Sequence, residues 1–213
     1  MKESSIQIIE KPDWVSWDEI HSVLWNAHAQ NREKGIIMAY PSLSGDEIKR
    51  RVENNGKMFI ALDGQNVIGT LALIIKKGKK WYNKGVYGYL CFGAVLPNYS
   101  GKGIYRSLYK VAETAALNQG ISVITRDTNE NNARMLKISK QEGYHFVECK
   151  AYKDHFNIVR AKWLDQCPFS DRYIKRRYWL SKFLLKIQYK SDGTERSQVT
   201  TIVCKRIKRH FKF

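Results

Sequence analysis

Between Val86 and Leu96 the chain runs Val-Tyr-Gly-Tyr-Leu-Cys-Phe-Gly-Ala-Val-Leu without a single charge, and then meets Pro97. β-Branched and aromatic residues fill that run, which is too short to cross a bilayer, so it predicts a central strand buried on both faces. After it, Asn98-Tyr-Ser-Gly-Lys-Gly103 is a polar turn, and a helical spacing of apolar residues begins at Ile104 and stops at Gly120. A strand, a glycine turn and a helix in this order put a helix N-terminus at the end of a central strand. Gly101 and Gly103 remove the side chains that would hold another molecule away from the backbone, and the first N–H groups of the helix have no partner within it. The helix dipole favours an anion there, and Lys102 and Arg106 add positive charge at the rim. The stretch therefore suits a phosphate, although a plain strand-to-helix turn uses the same residue types.

The flanking chain alternates strand and helix signals. Ile6 to Ile9 reads as a first strand, and Ser16 with Glu19 caps a helix that runs from Trp17 past His28 to Gly35. Ile36 to Ser44 is irregular, and Ser44-Gly-Asp-Glu opens a second helix reaching Val52. Met58 to Leu62 and Val67 to Ile75 form a hairpin around Asp63-Gly-Gln-Asn66, and Lys76 to Lys80 reads as a solvated basic turn. Ile121 to Thr125 is a strand, Asp127 to Asn132 a polar turn with a cap for the helix to Gln141, and Tyr144 to Cys149 and Phe156 to Ala161 are two more strands.

The run Val95-Leu-Pro-Asn-Tyr-Ser-Gly-Lys-Gly-Ile-Tyr105 resembles the cofactor-binding motif of the GNAT acyltransferase superfamily, a Val-x-Pro-like strand end followed by Gln/Arg-x-x-Gly-x-Gly/Ala. Ser100, Gly103 and Tyr105 stand at those last three positions: the central glycine matches, Ser100 lacks the long polar side chain, and Tyr105 replaces a small residue. Asn132, Met135, Lys140, Gly143 and Tyr144 match the Asn-x-x-Met and Lys-x-x-Gly-Phe pattern of the family's second half. The resemblance spans about residues 5 to 163 and is most specific from 86 to 150.

It implies an α/β fold, a mixed and mostly antiparallel central sheet flanked by helices, with acetyl-CoA as co-substrate and no metal. Residues 1–163 would be the acyltransferase domain and 164–213 a basic C-terminal helical extension. Gly101, Lys102, Gly103, Ile104, Tyr105 and Arg106 would hold the pyrophosphate, Ala94, Val95 and Leu96 would pair with the pantetheine arm, and Asn132 would belong to the same cofactor site. A backbone N–H near Val95 would polarise the thioester carbonyl. Where the family often carries a catalytic Glu and Tyr, this chain has Tyr89 and Ser139, so these are the catalytic candidates although neither is the usual group. In the family the region before the second helix shapes the acceptor pocket, which would bring in His28 and Tyr40; a His on such a mixed helix face is also an ordinary structural group.

Charge adds a second theme. Of 37 Lys and Arg against 20 Asp and Glu, residues 151–213 hold 16 basic and 5 acidic, a net +11 of the total +17. Asp171 can cap a helix through Tyr189 on which Arg172, Lys175, Arg176, Lys182, Lys186 and Lys190 share an arc of about 120°, with Trp179 and Phe183 near its boundary and Arg177 off the pattern. That helix either packs on the domain with a solvated basic face or meets an anionic membrane surface. Val199 to Cys204 reads as an edge strand. The acceptor is expected to be a small amine, and basic surroundings favour an anionic one such as an amino sugar on a nucleotide carrier. Two other classes are a non-catalytic acyl-CoA binder and a polyanion-binding protein; no nucleic-acid reading module is recognisable, so nucleic acid is not the expected partner. The N-terminus has no apolar signal segment and Cys91, Cys149, Cys167 and Cys204 are scattered, so a cytoplasmic protein with reduced thiols is expected, peripheral at the inner membrane surface if the helix docks there.

Overall fold

The computed structural model describes residues 6–36, 42–152, 155–190 and 194–210. Tyr40 lies outside them. Among the described residues seven strands, β1 (Gln7–Glu10), β2 (Gly56–Asp63), β3 (Asn66–Gly78), β4 (Gly85–Val95), β5 (Val123–Asn129), β6 (His145–Ala151) and β7 (Phe156–Trp163), form one mixed, mostly antiparallel sheet in the order β1-β2-β3-β4-β5-β7-β6. The helices are α1 (Trp17–Ala27), α2 (Ala29–Glu33), α3 (Gly45–Glu53), α4 (Ile104–Leu117), α5 (Ala133–Gln141), α6 (Asp171–Gln188) and α7 (Gln198–His210). The chain divides into two compact units, Met1–Lys76 with Gly88–Ile124, and Lys77–Tyr87 with Thr125–Phe213.

In the first unit, Ile20 and Leu24 of α1 and Ile48 and Val52 of α3 meet Ile60 and Leu62 of β2 in one apolar core. Ser44 and Glu47 close a complete capping box at α3, whereas Ser16 caps α1 through the Glu19 N–H alone. The β2–β3 hairpin turns on Gly64 at φ +61°, with Asp63 opposite Asn66. The long first helix expected to reach Gly35 is instead broken at His28, which leaves helical geometry (φ −107°, ψ 13°). Its ring is tied to another element, and that tertiary bond outweighs the continuing helical spacing.

The central strand β4 departs from its expectation of two buried faces. Leu90 and Ala94 are buried, but Cys91 to Gly93 are only half covered and Val86 is 52% exposed. The alternation is interrupted at Phe92, whose φ of +51° marks a local irregularity in the strand. Lys76, Lys77 and Lys79 are solvated as expected, but the segment is not all turn: β3 continues to Gly78, Lys76 lies over the Tyr89 ring, and Lys80 pairs with Glu148.

In the second unit β6 and β7 pair antiparallel, and β5 extends to Asn129 through residues that read as a turn, because Arg126, Thr128 and Asn129 are buried there. Helix α6 buries Ile174, Arg177, Tyr178, Ser181, Leu184, Leu185 and Gln188, positions at helical spacing, against a core of Val147, Cys149, Ile158 and Val159. Arg177, the residue off the basic pattern, is buried with its guanidinium 5.5 Å from the Trp81 ring and 5.8 Å from that of Tyr173. Tyr82 donates to Glu148 over 2.5 Å, and burial first and that carboxylate second push its phenol upward.

The edge strand expected at Val199 to Cys204 is part of α7. Ser197 accepts from the Thr200 N–H at its start, and buried Thr201 and Cys204, three residues apart, face inward, with the Cys204 thiol against the Leu184 carbonyl. Packing at a helical interval overrides the β-propensity of Val, Thr and Ile. Among the described residues no helix is long and apolar enough to cross a membrane.

Candidate functional site

From Gly88 onward, β4, the glycine turn and α4 all belong to the first unit. After β4 comes a single 3-10 turn, Pro97–Tyr99, then Gly101 at φ +84° and Gly103 at φ +76°. Left-handed backbone at both positions is what glycine allows cheaply, and a Cβ on either would meet nothing within 4 Å, so the turn stands open. Gly103 is the N-cap of α4: among the described residues no side-chain cap bond is made there, and no acidic residue stands in the first turn. The dipole end is thus left for an external anion. Gly101, Lys102, Gly103 and Arg106 are exposed, while Ile104 is buried and anchors the helix start. Tyr99 braces the turn by donating to Asp63 over 2.7 Å, and the Lys102 ammonium lies 5.0 Å from its ring.

Tyr105, the bulky departure from the motif, is accommodated by the missing side chain of Gly93 in β4. Its hydroxyl sits over Gly93, where any Cβ would run into it, and its ring meets Tyr109 edge-on at 4.7 Å between centroids. The glycine inside β4 was the sequence signal for this approach, because an isolated strand glycine marks a bulge or a close neighbour.

Around Gly93 the main chain is held by groups that the sequence reading did not bring together. Thr70 donates its hydroxyl to the Phe92 carbonyl over 2.8 Å, and His28 Nε2 contacts the Gly93 carbonyl at 3.1 Å. A carbonyl can only accept, so Nε2 carries the proton and His28 Nδ1 accepts from the Asn31 amide at 3.0 Å. Burial holds this imidazole down to about 4, and the ring is neutral at pH 7. At the strand end the Leu96 N–H donates to Ile68 of β3 over 2.9 Å. Successive N–H groups of an extended strand point to opposite edges, so Val95 turns its own away from β3.

The remaining candidates are spread over both units. Tyr89 is in the first, half-buried, with Lys76 Nζ 3.9 Å from its ring centre. Asn132 and Ser139 are in the second. Asn132 is a buried cap whose Oδ1 accepts from the Met135 N–H over 3.2 Å, while its Nδ2 has no hydrogen-bond partner among the described residues. Ser139 is fully buried: it donates to the Met135 carbonyl over 2.7 Å and accepts from Arg160 Nη1. Among the described residues no three His, Cys, Asp or Glu are grouped to hold a metal.

The model of the acetyltransferase (GNAT) family matches residues 14–144, more than half of the chain. The chain belongs to the GNAT acetyltransferase family. No curated protein matches this GNAT chain in sequence. Solved structures that resemble it share the fold at low identity. A GNAT-family acetyltransferase of Staphylococcus aureus Mu50 is 19% identical with a TM-score of 0.60, covering 76% of this chain and 100% of its own. A GNAT acetyltransferase of Elizabethkingia anophelis with acetyl-CoA bound is 15% identical at a TM-score of 0.56, covering 76% and 99%. The ribosomal-protein-S18-alanine N-acetyltransferase of Escherichia coli is 13% identical at 0.59, covering 76% and 96%.

Proposed function

We propose that this GNAT chain transfers an acetyl or other short acyl group from acyl-CoA to the primary amine of a small, anionic acceptor, by direct attack in a ternary complex. The observation that carries the reading is the open, left-handed glycine turn leading into an α4 N-terminus that no side chain caps. Backbone N–H groups at Gly101 to Arg106 suit a pyrophosphate, and Lys102 and Arg106 add charge without being buried. Acyl-CoA supplies the activated thioester. The Val95 N–H, directed to the edge away from β3, suits a developing oxyanion, and the bonds from Thr70 and His28 to the Phe92 and Gly93 carbonyls keep that stretch of β4 from shifting. The amine attacks the carbonyl carbon, the carbon–sulfur bond breaks, and the proton lost by the nitrogen goes to the thiolate directly or through water. A thiolate leaves without strong acid assistance, so orientation supplies much of the rate.

A second reading has one specific observation behind it. The Ser139 hydroxyl is enclosed and bonded on both sides, and its surroundings suit holding Arg160 better than moving a proton, as expected of a chain that binds acyl-CoA without turning it over. Calorimetry with CoA and thiol release from acetyl-CoA across a panel of amines, including amino sugars on nucleotide carriers, separate the two. CoA binding with amine-dependent thiol release supports transfer; binding without release from any amine supports the non-catalytic binder. No CoA binding overturns both.

A further inference from the structure

The C-terminal helices present an outer surface that acyl transfer does not use. On α6 the residues opposite the buried face are Arg172, Arg176, Trp179, Phe183 and Lys186, spaced by four, three, four and three, so they form one stripe along the helix. Trp179 is 62% exposed and Phe183 59%, which puts two large apolar side chains into water in the middle of a row of cations. Lys175 and the partly covered Lys182 flank the stripe. From Arg172 to Lys190 the sequence has no acidic residue; the acid at the helix start, Asp171, faces His145 at 3.7 Å. Solvated helix faces carry cations with anions interspersed and do not hold out a Trp and a Phe.

Helix α7 is inverted in the same sense. It turns the small Thr201 and Cys204 inward and leaves Val199, 71% exposed, with Ile202 and Val203 on the outside beside exposed Lys205 and Arg206. Aliphatic side chains have no aromatic face on which a base could stack, but they enter the acyl boundary of a bilayer readily.

We propose that the α6 stripe, assisted by the outer face of α7, is a docking surface for anionic phospholipid, along which the helices lie without crossing the membrane. Arg172, Arg176 and Lys186 meet the headgroups while Trp179 and Phe183 reach the boundary below them. The partner is argued from charge complementarity together with exposed aromatic and aliphatic groups, and it does not depend on the acyltransfer reading.

The test uses the full chain with phosphatidylcholine vesicles that contain or lack phosphatidylglycerol. Co-sedimentation is expected with the anionic vesicles at low salt, weak at high salt and weak with phosphatidylcholine alone. Trp179→Ser with Phe183→Ser should lower partitioning at least about tenfold, and since both side chains are mostly exposed the melting temperature should not move. Brominated acyl chains should quench the parent protein, and Trp179→Phe should remove that quenching. No pelleting at low salt overturns the proposal, and so does pelleting that the double variant leaves unchanged. Binding of single-stranded RNA that depends on Trp179, without vesicle binding, assigns the surface to a different polyanion and also overturns it.

Discussion

The α4 N-terminus and the outer face of α6 are both positive, but they are built from opposite materials. The first is main chain: glycines in the left-handed region, open space where side chains would be, and a helix end without a cap. The second is side chain: arginines, lysines and two aromatics standing out from a helix whose other face is fully packed. A backbone site fixes where one phosphate sits, because its donors are few and aimed. A row of long cationic chains fixes only sign and plane, which suits a surface better than a single molecule. The lesson is that net charge of +17 is not one property here but two, with different sensitivity to salt and to mutation.

The largest effect should come from the hidden side of α6. Leu184 is 1% exposed, and Leu184→Ala should cost about 2–5 kcal/mol and lower the melting temperature by several degrees, while Trp179→Ser leaves it unchanged. Thermal melts of both variants check this; equal melts would mean that α6 is not packed as described and that its two faces are not distinct.

Next is a pH effect confined to the first unit. The folded imidazole of His28 is held down to about 4 against 6.5, so between those values the unfolded chain takes up a proton that the folded chain refuses. Stability is therefore unaffected above pH 6.5 and falls as the pH drops toward 4, by about 3 kcal/mol over the window. Denaturant unfolding at pH 7 and pH 5 should show the loss, and His28→Gln should flatten the slope. A parent protein as stable at pH 5 as at pH 7 would contradict the buried neutral ring.

Gly103→Asp probes the backbone site itself. A non-glycine at φ +76° is strained, and the carboxylate would stand where the pyrophosphate is proposed, so CoA should bind at least about tenfold more weakly, or 1.4 kcal/mol. The same variant should partition onto anionic vesicles like the parent. Loss of both would mean that the two positive regions do not act independently.

The smallest effect expected is that of Tyr89→Phe. With Lys76 over its ring and no place in the turn, Tyr89 should change kcat only a few-fold, well short of the roughly 100-fold or more of a general acid or base. Steady-state kinetics with any accepted amine decide it, and a loss of three orders of magnitude would restore Tyr89 as a catalytic group.

How much of this was legible beforehand differs from residue to residue. The Val86 to Leu96 run, the glycines that follow and the helix from Ile104 are local signals, and they stand where expected. The hairpin at Gly64, the capping box of Ser44 and Glu47 and the cap at Asn132 are equally local. The left-handed backbone at Phe92 was not legible, since no property of a phenylalanine asks for a φ of +51°. Gly93 gave a hint, but only the approach of Tyr105 from α4 explains it.

By itself, then, the sequence determined where backbone must bend and where helices begin, because glycines, caps and apolar periodicity act over a few residues through conformational preference and local hydrogen bonds. It determined the sign of the C-terminal region for the same reason: composition needs no partner. Tertiary structure alone decided that Val199 to Cys204 is helical and that His28 breaks a helix to reach Gly93. Each of these depends on which distant surface a residue meets, and burial against that surface outweighs propensities worth at most about 1 kcal/mol per residue.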